Sequence, residues 1–319
     1  MKRLVVIAAL FVAYASAYAQ QATQAPAPIV EATAPMVYKV NTRLVNLFVN
    51  ASDATGAPIG SLSKEDFQII EDKKPQTIAV FEKQSETPLS VVMAIDTSGS
   101  MMKDARLVRE AAKQFVKDVV RPQDEMEVLQ FATSVSEIVP FTSDAKRIDD
   151  GLSELTEGET THLYDAIYLA GQNLSERRLG VSPNGVRKRI IVIISDGDDS
   201  GKGSNYEQAA EQALRGEAMV YSIIVVPIAA DAGRNTGGEH ALIQMAADTG
   251  GKFYYMQSPA DLKTAFTHIS DDLRTQYLLG YYAPQHRPGT SFHAITVQLA
   301  DPVKRDADVL RFRSGYYAK

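Results

Sequence analysis

From Pro88 onward the chain alternates short apolar runs with segments whose apolar residues recur at helical spacing, and no other feature restricts the fold as tightly. The apolar runs fall at 90–95, 127–131, 136–139, 189–194, 220–226 and 252–255, with helical periodicity near 103–120, 144–154, 164–178, 204–216, 239–249 and 259–274. Strands alternating with helices are the signature of βαβ units, whose strands pair in parallel and need cover on both faces. The run RIIVIIS at 189–195 is almost wholly apolar, as a central strand between two helical layers must be. The expected fold class is therefore α/β, a doubly wound, mostly parallel sheet of the Rossmann-like kind.

On either side the period changes. Leu44 to Val49, Phe67 to Ile70 and Ile78 to Phe81 read as short strands, separated by turn-forming Asp53-Ala54-Thr55-Gly56 and Glu71-Asp72-Lys73-Lys74-Pro75. After Gln276 the strand pattern returns at 277–282, 292–299 and 309–312. An isolated short hairpin is marginally stable, so the C-terminal strands are expected to pack with the N-terminal ones in a small β-sandwich-like module. The paired tyrosines Tyr281-Tyr282 and Tyr316-Tyr317 are read as core or sheet-face residues. The expected organisation is 1–19 signal peptide, 20–37 flexible linker, 38–87 N-terminal β module, 88–275 α/β domain and 276–319 C-terminal β segment.

The signal reading rests on Lys2 and Arg3, an apolar run from Leu4 to about Val12, and small residues at Ala17-Tyr18-Ala19. The run is shorter than the roughly 20 residues a membrane span requires, so cleavage after Ala19 is expected. No later stretch is long and apolar enough to span a bilayer, and the chain is expected to be exported to the periplasm, the cell envelope or the exterior. Residues 20–37, QQATQAPAPIVEATAPMV, have the composition of a tether. Lys+Arg number 33 against Asp+Glu 39, a formal charge of −6, with no basic block, which argues against nucleic acid as a partner. With Cys at 0, disulfides, thiolate metal sites and thiol nucleophiles are excluded. Any metal must be held by oxygen or imidazole.

Three pieces of the α/β region lie where strands run into loops: Asp96-Thr97-Ser98-Gly99-Ser100-Met101, Thr160-Thr161-His162-Leu163-Tyr164-Asp165, and Ser195-Asp196-Gly197-Asp198-Asp199. In a doubly wound sheet these loops share one edge, where ligands bind. They offer two carboxylates and three hydroxyls, Asp96, Ser98, Ser100, Thr161 and Asp196. Hard oxygen donors suit a small hard cation such as Mg²⁺, with Mn²⁺ or Ca²⁺ as alternatives. Taken singly, each piece has a plainer reading as a helix cap or a turn. Together, at matching strand ends, they favour metal.

The runs DTSGSM, THLYDA and SDGDD, in that order, resemble the metal-ion-dependent adhesion site of von Willebrand factor type A domains. The resemblance spans about 88–275. It implies that Asp96, Ser98 and Ser100 form the first ligand loop, that Thr161 binds directly or through water, and that Asp196 acts largely through water. The flanking GSLSKEDFQIIEDKKPQTIAVFEK, TQYLLGYYAP and FRSGYY resemble segments of the bacterial exported subgroup. The resemblance further implies a non-enzymatic protein-binding module in which an acidic side chain of the partner completes the metal's coordination. Thr160 stands where the family often has Gly, and His162 where a small apolar residue is frequent. His162 is read as an exposed bystander before a rim donor, and Asp198 and Asp199 as a solvated acidic turn before a second cation site.

Enzymatic readings fit less well. Mg²⁺-dependent phosphoryl transfer of the haloacid-dehalogenase kind resembles a pattern with a second Asp two positions after the first, and here that position is Ser98. The serines are not in G-x-S-x-G, no phosphate-loop Gly-Lys-Ser/Thr ending occurs, and the 5 histidines show no His-Glu-x-x-His spacing. A metal-independent structural or assembly factor of the cell envelope is the alternative from another class.

Overall fold

The computed structural model describes residues 43–84, 86–177, 186–226, 236–283, 291–303 and 308–318, which belong to one compact unit, Thr42–Lys319. The expected signal peptide, the linker at 20–37 and the first residues of the segment beginning at 38 lie outside the described residues.

Four strands come first: β1 (Arg43–Ser52), β2 (Phe67–Glu71), β3 (Lys74–Gln76) and β4 (Ile78–Gln84). The α/β region follows as β5 (Leu89–Asp96), α1 (Ala105–Val119), β6 (Glu125–Phe131), β7 (Val135–Thr142), α2 (Ala145–Ser153), α3 (Leu163–Glu176), β8 (Lys188–Ser195), α4 (Tyr206–Arg215), β9 (Ala218–Val225), α5 (Thr236–Thr249), β10 (Lys252–Met256) and α6 (Pro259–Arg274). The chain closes with β11 (Gln276–Ala283), β12 (Phe292–Leu299), β13 (Val309–Arg311) and β14 (Gly315–Tyr317).

The six-stranded sheet has the order β10-β9-β8-β5-β6-β7, parallel throughout except for β7, which runs antiparallel to β6. All eight residues of β5 are buried, as their apolar sequence requires of a strand covered on both sides. One face packs on α1, α2 and α6 through Val108, Phe115, Ile148, Leu152, Leu262 and Ile269. The other packs on α3, α4 and α5 through Leu163, Ile167, Leu174, Ala209, Leu242 and Met245. Each of the Val, Leu, Ile, Phe and Met side chains among them contributes about 1.5–3 kcal/mol on full burial. Helix starts are fixed by Asp144, Asn205 and Ser258, whose side chains accept backbone N–H bonds in the first turns of α2, α4 and α6.

The outer strands form two four-stranded sheets, β13-β1-β11-β4 and β14-β12-β2-β3. Both interleave early with late strands: β1 pairs antiparallel with β11, and β2 with β12. Leu47, Ile69, Tyr277, Leu279, Tyr281, Ile295, Val297 and Tyr316 fill one shared core. Of the paired tyrosines, Tyr281 and Tyr316 are buried there, whereas Tyr282 is exposed. The sandwich is thus built from both ends of the described chain.

Candidate metal centre

β5 and β8 lie side by side, with Ile95 opposite Ile194, and the chain leaves them in opposite directions across the sheet. That reversal opens a crevice beyond the C-terminal strand ends. Asp96, the last residue of β5, and Ser195, the last of β8, face each other there. The Ser195 hydroxyl donates to Asp96 Oδ2 at 2.6 Å, and the backbone N–H of Ser98 donates to Asp96 Oδ1 at 2.9 Å. Ser195 Oγ in turn accepts the N–H of Gly197 at 3.0 Å, which ties the turn carrying Asp196 to the same point. Gly197 has φ +86°, a backbone state that side chains with Cβ resist.

A short 3₁₀ turn, Gly99–Met101, follows Ser98 and brings Ser98 Oγ within 3.1 Å of Ser100 Oγ. Ser98 also forms an isolated parallel bridge with Gly158, whose N–H donates to the Thr97 carbonyl at 3.0 Å. Gly158 is required by space, since a Cβ there would lie 2.6 Å from Ala132 Cβ. Three residues further on, the Thr161 N–H donates to Ser200 Oγ at 2.9 Å, and the Ser200 N–H donates back to the Thr161 carbonyl. The three loops are therefore linked in a ring: first to second through Ser98 and Gly158, second to third through Thr161 and Ser200, third to first through Ser195 and Asp96.

The plainer capping readings can be tested against this geometry. Ser98 occupies the cap position of the 3₁₀ turn but makes no side-chain cap bond, and the cap position of α3 is His162 rather than Thr160 or Thr161, again without a side-chain bond. The hydroxyls of Ser98 and Thr161 are not spent on capping those turns. Asp96, Ser98 and Thr161 are buried, Asp196 is half-buried and Ser100 is exposed, so the oxygens grade from floor to rim. Burial pushes the Asp96 carboxyl up to about 6, a rise the Ser195 and Ser98 hydrogen bonds oppose and the nearby Asp196 charge reinforces. A buried carboxylate among hydroxyls and beside a second carboxylate is a donor set that fits a small hard cation.

His162 is half-buried rather than exposed. Its Nδ1 lies 2.8 Å from Asp165 Oδ2, and Asp165 Oδ1 accepts the Ser204 N–H at 2.6 Å. Although burial opposes it, hydrogen bonds from Ser204 and His162 hold Asp165 below the usual carboxylate range. His162 is thus a half-buried clamp on the 199–204 loop. Asp199 accepts the Tyr164 N–H at 3.3 Å and so serves the start of α3, whereas Asp198 is exposed, its N–H donating to Asp196 Oδ1. Ser195 is the residue the sequence reading left out of the site. A second group, Glu71, Asp72 and His293, gathers its ligand atoms within 4.8 Å in the sandwich, where Asp72 clamps the β2–β3 turn onto β12 through His293 Nδ1 and the Ala294 N–H.

A doubly wound, mostly parallel sheet with an oxygen-lined crevice at its switch point defines a Rossmann-like α/β domain. The model of the von Willebrand factor type A domain matches residues 90–268, more than half of the 319 residues, and the chain belongs to that family. Such domains are generally protein-interaction modules rather than enzymes. Among solved structures, a von Willebrand factor type A protein from Catenulispora acidiphila is similar in fold, with TM-score 0.50 at 10% identity over 88% of this chain and 76% of that one. Proximal thread matrix protein 1 from the mussel byssus matches with TM-score 0.48 and 17% identity over 60% of this chain, which spans about half, 49%, of that protein. The conserved hypothetical protein BatB from Bacteroides thetaiotaomicron matches with TM-score 0.46 and 18% identity over 59% of this chain and 100% of that one. Comparison with curated proteins returns no match. Among the described residues no helix is long and apolar enough to cross a membrane.

Proposed function

We propose that this chain is an exported, divalent-metal-dependent protein-binding module. The observation that supports the reading is the ring of three loops around Asp96, in which Ser98 Oγ lies 3.1 Å from Ser100 Oγ and the loops bearing Thr161 and Asp196 are tied to the one bearing Asp96. Asp96, Ser98 and Ser100 would hold Mg²⁺, or Mn²⁺ or Ca²⁺, with Thr161 bound directly or through water and Asp196 through water. When bound, the ion supplies an electropositive centre that a partner's carboxylate coordinates. Ser195 orients Asp96 from below by its 2.6 Å bond, and Gly197 lets the Asp196 turn approach without a side chain in the way. The exposed Ser100 marks the rim at which an acidic side chain of a protein partner arrives.

Thermal unfolding of the chain with Mg²⁺, with Mn²⁺ and with chelator, beside Asp96→Ala, tests the reading. A ligand present at 100 times its Kd stabilises the folded state by about 2.7 kcal/mol, so a clear metal-dependent rise is expected, absent in the variant. A metal response that survives in Asp96→Ala, or none at millimolar metal, defeats the proposal and favours a metal-independent assembly factor.

A further inference from the structure

At the opposite edge of the central sheet, where β8 begins, a cavity of about 90 Å³ lies between the α/β region and the sandwich. Asn46, Phe48 and Arg313 line it from the sandwich side, and Arg187, Arg189 and Glu217 from the other. β8 is eight residues long, so this cavity stands about 20 Å from Asp96 at the strand's other end.

Charge is unbalanced in this place. Arg189 Nη1 and Arg313 Nη1 face the same Glu217 carboxylate, at 3.6 and 3.7 Å, too far for either to be a hydrogen bond. Arg187 adds a third guanidinium, turned by bonds to Ser90 Oγ and the Leu89 carbonyl; its Nε lies 3.7 Å from Glu125, a carboxylate it shares with Arg177. Arg313 is 8% exposed; its Nη2 donates to the Asn46 carbonyl at 2.8 Å, and its Nε finds no acceptor among the described residues. The segment bearing Arg313 is fixed, because the Ser314 N–H donates to the Asp248 carbonyl at 2.7 Å and Arg311 donates to Asp272 and to the Gly251 carbonyl. Buried cations outnumbering their carboxylate partners are costly unless a counter-charge joins them.

We propose that this cavity binds a small oxyanion, a phosphate or carboxylate group, held by Arg189 and Arg313 with Arg187 at its side. Guanidinium groups match such anions in geometry as well as charge. Because the lining comes from both parts of the chain, the bound anion cross-braces the sandwich and the α/β region.

The test is thermal unfolding and calorimetric titration of the full chain with inorganic phosphate and, separately, acetate, against chloride at equal ionic strength and with chelator present throughout. A saturable rise in Tm over chloride is expected, and whichever of the two anions binds more tightly identifies the source. Arg313→Gln is expected to weaken binding about tenfold or more, with Arg313→Lys intermediate. If Arg313→Gln does not fold, Arg189→Gln, whose side chain is part-exposed, takes its place. No effect beyond chloride, or an equal effect in the variants, overturns the proposal. Chelator keeps this result separate from the metal reading at Asp96.

Discussion

Ser195 and Asp96 are the terminal residues of two neighbouring parallel strands, and the hydroxyl of the first donates to the carboxylate of the second at 2.6 Å. This one bond joins the first and third loops of the crevice beneath the surface that a ligand would meet.

Ser195→Ala is therefore expected to cost about 1–3 kcal/mol, since a buried carboxylate loses a charge-assisted bond. The Mg²⁺ midpoint should weaken in parallel although Ser195 is not among the proposed ligands. Urea unfolding with and without Mg²⁺ checks both effects, and an unaltered metal midpoint would show that Ser195 does not orient Asp96.

Gly197→Ala separates backbone form from donor chemistry. At φ +86°, with its Cβ 2.9 Å from the Gly238 carbonyl carbon, the variant is strained by about 1–3 kcal/mol. The Asp196 turn is expected to shift and the metal-dependent rise in Tm to shrink. A full metal response would mean that the position of Asp196 is immaterial.

Glu127 gives the chain a pH signature away from the crevice. It is 0% exposed on β6; burial, then the Glu137 carboxyl on β7, push it up to about 8, while Asn173 on α3 donates to its Oε1 at 2.6 Å and Arg177 and Glu125 stand nearby. The folded state thus holds a proton that the unfolded chain releases near 4.5, so stability is full below that pH and falls as pH rises toward 8. Glu127→Gln keeps the neutral form at every pH and is expected to gain on the wild type by about 1 kcal/mol or more between pH 5 and pH 8. Chemical unfolding at the two pH values reads this directly; a constant difference would refute it.

Tyr281→Phe probes the sandwich alone. Its hydroxyl donates to the buried Glu71, so the variant leaves a carboxylate short of a donor and should lose about 1–3 kcal/mol. Its Mg²⁺ midpoint should match the wild type, and a changed midpoint would reveal coupling between sandwich and crevice.

Strand and helix periods carry the fold, and particular residues show where they fall short. The second strand of the α/β region is read from Glu127 but begins at Glu125, because two acidic residues look like a solvent loop. In the structure Arg177 and Ser90 hold Glu125, and Glu127 lies inside. Pro140 looks like a terminator, yet β7 runs to Thr142 because an edge strand tolerates a missing donor. Gly237-Gly238 delay the expected start of α5, which begins at Thr236. At the crevice, the meeting of the three loops that carry Asp96, Thr161 and Asp196 is legible from their strand-end spacing. Ser195 is not, because a hydroxyl finishing an apolar strand looks like any other until the neighbouring strand is known. The contact of His162 with Asp165 is hidden for a like reason: the two lie one helical turn apart, but nothing in the sequence says that their side chains meet.

The interleaving of early and late strands sets an order of events for a growing chain. Tyr277 donates to the Ile59 carbonyl and Tyr281 to Glu71, across 218 and 210 residues, so the sandwich cannot close until the intervening α/β region has emerged. Until then β1, β2 and β4 hold unpaired edges and an uncovered apolar face, the form in which chaperones and proteases recognise unfinished protein. Closure of the sandwich is thus a molecular receipt for synthesis of everything between its halves, and a chain cut short within the α/β region would carry its own mark for removal.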